Sequence, residues 1–136
     1  MSERVFIDSN IPMYAAGRPH AHRDLSIRFL RRVQAGTVEG VTSTEVLQEI
    51  LYRYAALKRR ETGAQVYDLF VEICPTVLDV TLADTDRARD LLLEIEGISA
   101  RDAVHAAVMA NHDIRAIASF DTGFDGVPGV ERLGLD

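Results

Sequence analysis

Val5-Phe6-Ile7-Asp8-Ser9-Asn10 changes character in the space of one residue. The three apolar side chains, two of them β-branched, read as a short buried strand, and Asp8-Ser9-Asn10 reads as its polar exit into a helix. Pro12 suits the first turn of that helix, where a missing N–H costs nothing. A carboxylate therefore stands at the carboxyl end of a strand, the end at which open α/β sheets bind ligands.

Working outward, Gly17-Arg18-Pro19 breaks the first helix, and residues 21–35 carry apolar positions at helical spacing up to Gly36. Val38 to Thr42 is a second strand, with Ser43 or Thr44 placed to cap the helix that follows. Val46, Leu47, Ile50, Leu51 and Tyr54 form its apolar face. The pattern is interrupted around residues 61–63 and resumes from Ala64 to Ile73, where Pro75 ends it. Thr76 to Val80 is a third strand, Thr81 to Glu96 a helix ended by Gly97, and Ser99 to about His112 another helix. Ile114 to Ser119 is a fourth strand, and a short fifth is expected around Val130. Near-continuous apolar strands separated by helices point to a three-layer α/β/α fold with a central, mostly parallel sheet of four or five strands. Residues 1–136 are read as one domain, with no repeat, low-complexity tract or linker.

Composition narrows the class. With 47% hydrophobic and 26% charged residues the chain has the balance of a globular protein. No apolar run reaches the ~20 residues needed to span a bilayer, and no signal-peptide pattern opens the sequence, so a cytoplasmic protein without membrane association is expected. Cys74 is the only cysteine, which excludes an intrachain disulfide and a cysteine-based zinc site. The net charge of −6 is unfavourable for contact with phosphates. Yet fourteen of the fifteen basic residues are Arg, the side chain suited to bidentate phosphate contacts. Several cluster, as Arg28, Arg31 and Arg32, and as Arg53, Lys58, Arg59 and Arg60; spacing alone reads these as solvated helix faces.

Four acids fall where a parallel sheet could gather them. Asp8 ends the first strand, and Asp121 follows the fourth in Ile117-Ala118-Ser119-Phe120-Asp121. Glu49 lies in the helix after the second strand, and Asp102 in the first turn of the helix before the fourth. Each has an ordinary explanation. Asp8 can cap a helix, Glu49 can pair with Arg53 one turn on, Asp102 can close a capping box with Ser99, and Asp121 can serve a turn. Their joint placement carries more weight than any one of them.

The surrounding motifs add a resemblance. Val5 to Asn10 resembles the opening of a PIN domain, in which a hydrophobic strand ends in Asp, then Ser or Thr, then Asn. Ser43-Thr44-Glu45-Val46-Leu47-Gln48-Glu49-Ile50 resembles the second motif of that family, with Glu49 at its acidic position. Ser99-Ala100-Arg101-Asp102-Ala103-Val104-His105-Ala106-Ala107 is similar to the third motif, the most specific of the set. Ala118-Ser119-Phe120-Asp121-Thr122-Gly123-Phe124-Asp125 resembles the fourth. Order and spacing agree over essentially the whole chain, whose length is similar to that of VapC-type toxin ribonucleases. The resemblance implies a metal-dependent endoribonuclease, usually a homodimer, held inactive by a small cognate antitoxin. It carries the catalytic roles to Asp8, Glu49, Asp102 and Asp121, and metal coordination to Asp8, Asp102 and Asp121, with Asp125 competing for the fourth place. Ser9, Asn10 and Ser119 match polar positions that support those acids. His105 matches a variable position and is read as a helix-packing residue rather than a ligand.

The residue types suit that chemistry. A cluster of carboxylates without His or Cys selects hard cations, hence Mg²⁺ or Mn²⁺ over zinc. A cation held among them would lower the pKa of a water and orient it toward an RNA phosphodiester. Rival readings fit less well. A phosphoryl-receiver domain needs a late lysine, but the single lysine is Lys58. A haloacid-dehalogenase-type phosphatase needs a second Asp where Asn10 stands. A housekeeping RNA-processing PIN nuclease without antitoxin and a catalytically silent RNA-binding module stay open.

Overall fold

The computed structural model describes residues 3–135. In chain order the elements are β1 (Arg4–Ile7), α1 (Asn10–Ala15), α2 (Ala21–Gln34), β2 (Glu39–Ser43), α3 (Thr44–Ala56) and α4 (Arg60–Ile73). There follow β3 (Thr76–Leu78), α5 (Leu82–Glu94), α6 (Ala100–Asn111), β4 (Ala116–Ala118), a 3-10 turn (Thr122–Gly126) and β5 (Glu131–Arg132). The strands form one sheet in the order β3-β2-β1-β4-β5, and every pairing is parallel. This is the expected three-layer α/β/α architecture with five strands.

The register shows why β1 matters. Val5 lies opposite Gly40 of β2 on one side and Ala116 of β4 on the other. The chain moves outward from β1 through β2 to β3, then returns across β1 to build β4 and β5. Strand order therefore reverses between β1 and β4, and the connections leaving these two carboxyl ends diverge. Such a switch point is where a parallel sheet leaves room for a ligand.

Burial explains the placement of the strands. Phe6, Ile7, Val41 and Ile117 are almost wholly enclosed, packed among Phe29, Val33, Ile50, Phe70 and Met109 from the helices. Each large aliphatic or aromatic side chain so enclosed contributes about 1.5–3 kcal/mol relative to exposure. A smaller cluster of Ala88, Ala103 and Ala107 joins α5 to α6, where small side chains let the two helices approach closely.

One helix boundary differs from the sequence reading. The interruption expected at residues 61–63 falls earlier, where Lys58 takes a left-handed backbone with φ of 59° and ends α3. Gly63 lies inside α4 instead. A Cβ there would stand 2.7 Å from Cβ of Tyr54, so glycine at this position permits close α3–α4 packing rather than a break. Two strands are also shorter than expected, β3 ending at Leu78 and β4 running only from Ala116 to Ala118.

Candidate active site

Asp8 leaves the carboxyl end of β1 and is buried. Its backbone N–H continues the sheet by donating to the Ala118 carbonyl at 3.1 Å. Its side chain does not cap α1, whose cap position, Ser9, makes no side-chain cap bond either. The carboxylate is instead held from several directions. Oδ1 accepts the Ser9 backbone N–H at 2.7 Å, and Oδ2 accepts the Ser119 hydroxyl at 2.6 Å and the Asn10 amide at 3.3 Å.

Ser119 is wired in one sense only. Its oxygen accepts from the Asn10 amide at 3.1 Å and from the Asp121 backbone N–H at 3.0 Å. With both lone pairs engaged, its single proton points at Asp8. Asn10 is oriented in turn, because its Oδ1 accepts the Phe120 backbone N–H at 3.4 Å. Ser9, Asn10 and Ser119 thus all donate to the Asp8 carboxylate. Burial pushes the Asp8 carboxyl above its ordinary value and Glu49 adds to this, while His105, Ser119 and Ser9 oppose the rise.

Glu49 reaches the same place from α3, whose start is fixed by Ser43 accepting the Val46 backbone N–H at 3.5 Å. It does not use Arg53. Its Oε1 lies 2.7 Å from Nε2 of His105, and its Oε2 lies 3.5 Å from the exposed Arg101 guanidinium. His105, expected to be a packing residue, does lie tilted against Phe6 with ring centroids 5.5 Å apart. Its Nε2 nevertheless stands between two acids, 3.7 Å from Oδ1 of Asp8 as well. His105 therefore packs as expected and also belongs to the cluster, which the sequence reading did not foresee. Asp102 and His105 are three residues apart on α6, one helical turn on one face, and that spacing was the available signal. Burial alone would lower the His105 pKa. The hydrogen bond to Glu49 and the charges of Asp8, Glu49 and Asp102 outweigh it and hold the imidazole above its usual range.

Asp102 enters from the first turn of α6. Its backbone N–H donates to the Ser99 hydroxyl at 3.1 Å, but α6 lacks the reciprocal bond that would complete a capping box. The carboxylate turns to Asp121. Burial, then the hydrogen bond and charge of Asp121, then Asp8 push the Asp102 carboxyl up to about 7, with His105 opposing. Asp121 serves its turn too, since its Oδ1 accepts the Gly123 backbone N–H at 2.8 Å. A Cβ on Gly123 would stand 3.0 Å from Oδ1 of Asp121 and 3.2 Å from Oδ2 of Asp102, so a side chain here would crowd both acids. Asp125 is engaged elsewhere: Arg132 of β5 donates to its two oxygens at 2.9 and 3.1 Å.

The basic residues divide differently from their sequence clusters. Arg59 and Arg60 line a hollow at the α3–α4 turn that shares no residue with the acids, and Arg28 and Arg32 line another beside Phe29. Arg53 alone of the clustered arginines lines the hollow of about 610 Å³ that contains Glu49, Ser9 and Tyr52, together with Arg101.

The donor set fits a hard divalent cation. Asp8, Glu49 and His105 offer atoms within 4.8 Å of one another, but the imidazole is poorly prepared to ligate. Its Nδ1 is buried and has no hydrogen-bond partner among the described residues. A ligating histidine normally donates its other N–H to an acceptor. Here the proton is retained on Nε2, facing the carboxylates, whether the ring is neutral or charged. Oxygen ligands remain, the set that Mg²⁺ and Mn²⁺ prefer.

Comparison with known proteins gives the family. The PIN domain family model matches residues 5–130. Ribonuclease VapC13 of Mycobacterium tuberculosis is 46% identical over 129 residues, covering 95% of this chain and 98% of that one. Among solved structures, the sarcin–ricin loop cleaving toxin VapC20 of Mycobacterium tuberculosis superposes with a TM-score of 0.75 at 19% identity, covering 91% of this chain and 95% of that one. VapBC2 of Rickettsia felis, bound to a promoter DNA fragment, gives 0.75 at 20% identity, with 96% and 97% covered. From the matched motifs, the shared fold and a close relative along nearly its whole length, the chain belongs to the PIN-domain family, in its VapC ribonuclease branch.

Proposed function

We propose that this chain is a metal-dependent endoribonuclease, the toxin of a toxin–antitoxin pair, with Asp8, Glu49, Asp102 and Asp121 as its catalytic carboxylates. The observation that carries the reading is the approach of these acids from four separate segments at the β1–β4 switch point: Asp8 and Glu49 flank His105, Asp102 and Asp121 face each other across Gly123, and Ser119 ties Asp8 to the Asp121 backbone. The relatives named as VapC ribonucleases support RNA as substrate. The VapBC structures support a small antitoxin as partner. A homodimer and a cytoplasmic location fit the same reading, as does one PIN-like nuclease domain over residues 1–136. No helix among the described residues is long and apolar enough to cross a membrane.

Asp8, Asp102 and Asp121 would hold the cation, Mg²⁺ or Mn²⁺, and Glu49 would ligate it or orient the attacking water. When bound, the cation supplies charge neutralisation and lowers the pKa of water. The chain's own contribution is preorganisation. Ser119 and Asn10 keep Asp8 in one orientation, and His105 holds Oε1 of Glu49 as a positioning residue, leaving Oε2 beside Arg101. Arg101 and Arg53 are placed to meet the phosphate charge. Hydrolysis in this arrangement leaves a 5′ phosphate and a 3′ hydroxyl.

The test is cleavage of single-stranded RNA by the purified chain in Mg²⁺ or Mn²⁺, with and without chelator. Asp8→Asn, Glu49→Gln and Asp102→Asn should each reduce turnover by about 100-fold or more with the fold retained. The losses should be far from additive, because the acids act as one unit. Chelator-insensitive cleavage, or wild-type turnover in all three variants, would sink the reading.

A further inference from the structure

A second hollow, of about 520 Å³, lies against the acidic cluster, lined by Asn10, Met13, Tyr14, Arg18, His20 and Arg53 among others. In the sequence its loop, Gly17 to His20, registers only as a break between two helices. In the fold it is one side of an aromatic wall. The rings of Tyr14 and His20 lie 5.0 Å apart with a 34° tilt. Tyr14 is braced edge-on by Phe120 and His22, which stack on each other at 3.8 Å and 11°. His20 is fixed by its Nδ1, which accepts the His22 backbone N–H at 3.0 Å and caps α2. Both rings are thus held in place before any ligand arrives, which lowers the entropy lost on stacking against them.

The position of this wall gives it meaning. Asn10, at one end, donates to Asp8 and to Ser119, and Phe120, behind the wall, directly precedes Asp121. Arg53 and Met13 line both this hollow and the one containing Glu49, so the two adjoin. Arg18 and Arg53 bring positive charge to a chain whose net charge is −6. Fixed rings flanked by guanidinium groups, in a hollow that shares Asn10 with the Asp8 site, match how proteins take unstacked bases of single-stranded RNA. The polar atoms of Asn10 are already committed to Asp8, Ser119 and Phe120, so what the wall itself offers a base is stacking on its rings. We infer that it takes the unpaired base of a nucleotide adjacent to the cleaved phosphate. This rests on the ribonuclease reading above.

The probe is a single-stranded RNA decamer of mixed sequence, carrying 5-iodouridine at one position at a time for photocrosslinking, and an abasic residue at the same positions for binding. One position should crosslink to Tyr14 or His20. His20→Asn, which removes the ring but keeps an acceptor for the helix cap, should weaken binding about tenfold, the scale of one lost base–ring stack. An abasic residue at the crosslinking position should erase the difference between variant and wild type. Tyr14→Phe, which keeps the ring, should bind as wild type does. RNA cleavage with no crosslink to either ring and an abasic penalty unchanged by His20→Asn would overturn the subsite and leave the ribonuclease standing; it would assign the hollow to a protein partner. Crosslinking and base-dependent binding here without metal-dependent cleavage would overturn the ribonuclease reading and keep the base site.

Discussion

Asp102→Asn tests whether the acids form a strained cluster that a cation relieves. In the metal-free fold Asp102 titrates near 7, so it keeps a proton that the unfolded chain, at 3.8, has already released. Between those two values the folded state binds more protons than the unfolded one. Stability must therefore fall as pH rises through that window and stay at the lower level above it. The full rise would correspond to about 4 kcal/mol at about 1.4 kcal/mol per pH unit. Asp102 is half-open to solvent, and screening brings a realistic value down to about 1–2 kcal/mol. Asparagine keeps the shape and can donate to Asp121 as the protonated acid does, but it carries no charge at any pH. In chelator at pH 8, the variant should melt about 4–8 °C above wild type, and the gap should close near pH 4. Added Mg²⁺ should reverse the order, because the intact cluster binds it better and gains more by linkage. Parallel melting curves across this range, or a variant less stable than wild type at pH 8, would refute the reasoning.

Three further outcomes follow from the geometry. Asp121→Asn should lower RNA-cleavage turnover by about 100-fold, whereas Asp125→Asn should leave it nearly unchanged, since Asp125 is held by Arg132 outside the cluster; the opposite order in steady-state cleavage would move the fourth acid to Asp125. His105→Leu should weaken Mg²⁺ binding by about 10–100-fold in calorimetry, and His105→Gln, which can return an N–H to Glu49, should recover much of it; equal losses would make His105 a packing residue only. Gly123→Ala should fold normally but bind Mg²⁺ less well, because its methyl group crowds Asp102 and Asp121; unchanged affinity would mean the turn gives way freely.

The sheet was legible because its strands are short apolar runs with polar exits, and parallel burial on both faces leaves that mark. The acids were legible through motifs and strand ends. What escaped the sequence were facts about which side chain meets which across elements. Periodicity places His105 on the buried face of α6 but does not say that α3 delivers Glu49 to its Nε2. It places Arg53, Arg59 and Arg60 close together in the chain, yet Lys58 reverses the backbone between them and sends Arg53 alone to the acids. The interruption of the apolar pattern around residues 61–63 is no break, and only the approach of Tyr54 explains a glycine at position 63 inside α4.

The ordinary roles of these acids and their proposed chemistry are not rivals, as α5 and α6 show side by side. Both helices begin with a hydroxyl residue followed three positions later by Asp. At α5 the box is closed: Asp84 accepts the Thr81 backbone N–H at 2.9 Å and spends its other oxygen on Asn111 at 2.7 Å. These hydrogen bonds, against some burial, hold the Asp84 carboxyl below its ordinary value. At α6 only half the box forms. Ser99 caps the backbone of Asp102, and the carboxylate, with no return bond to make, is pushed up beside Asp121. The same local sequence signal thus yields a carboxylate stabilised as an anion in one helix and one destabilised as an anion in the next. Only the second carries charge repulsion that a cation would relieve, and only the second lies at the switch point of the sheet. The backbone of Asp102 serves the helix while its side chain is left for the proposed site, so a sequence can satisfy its folding rules and still leave an acid uncommitted there.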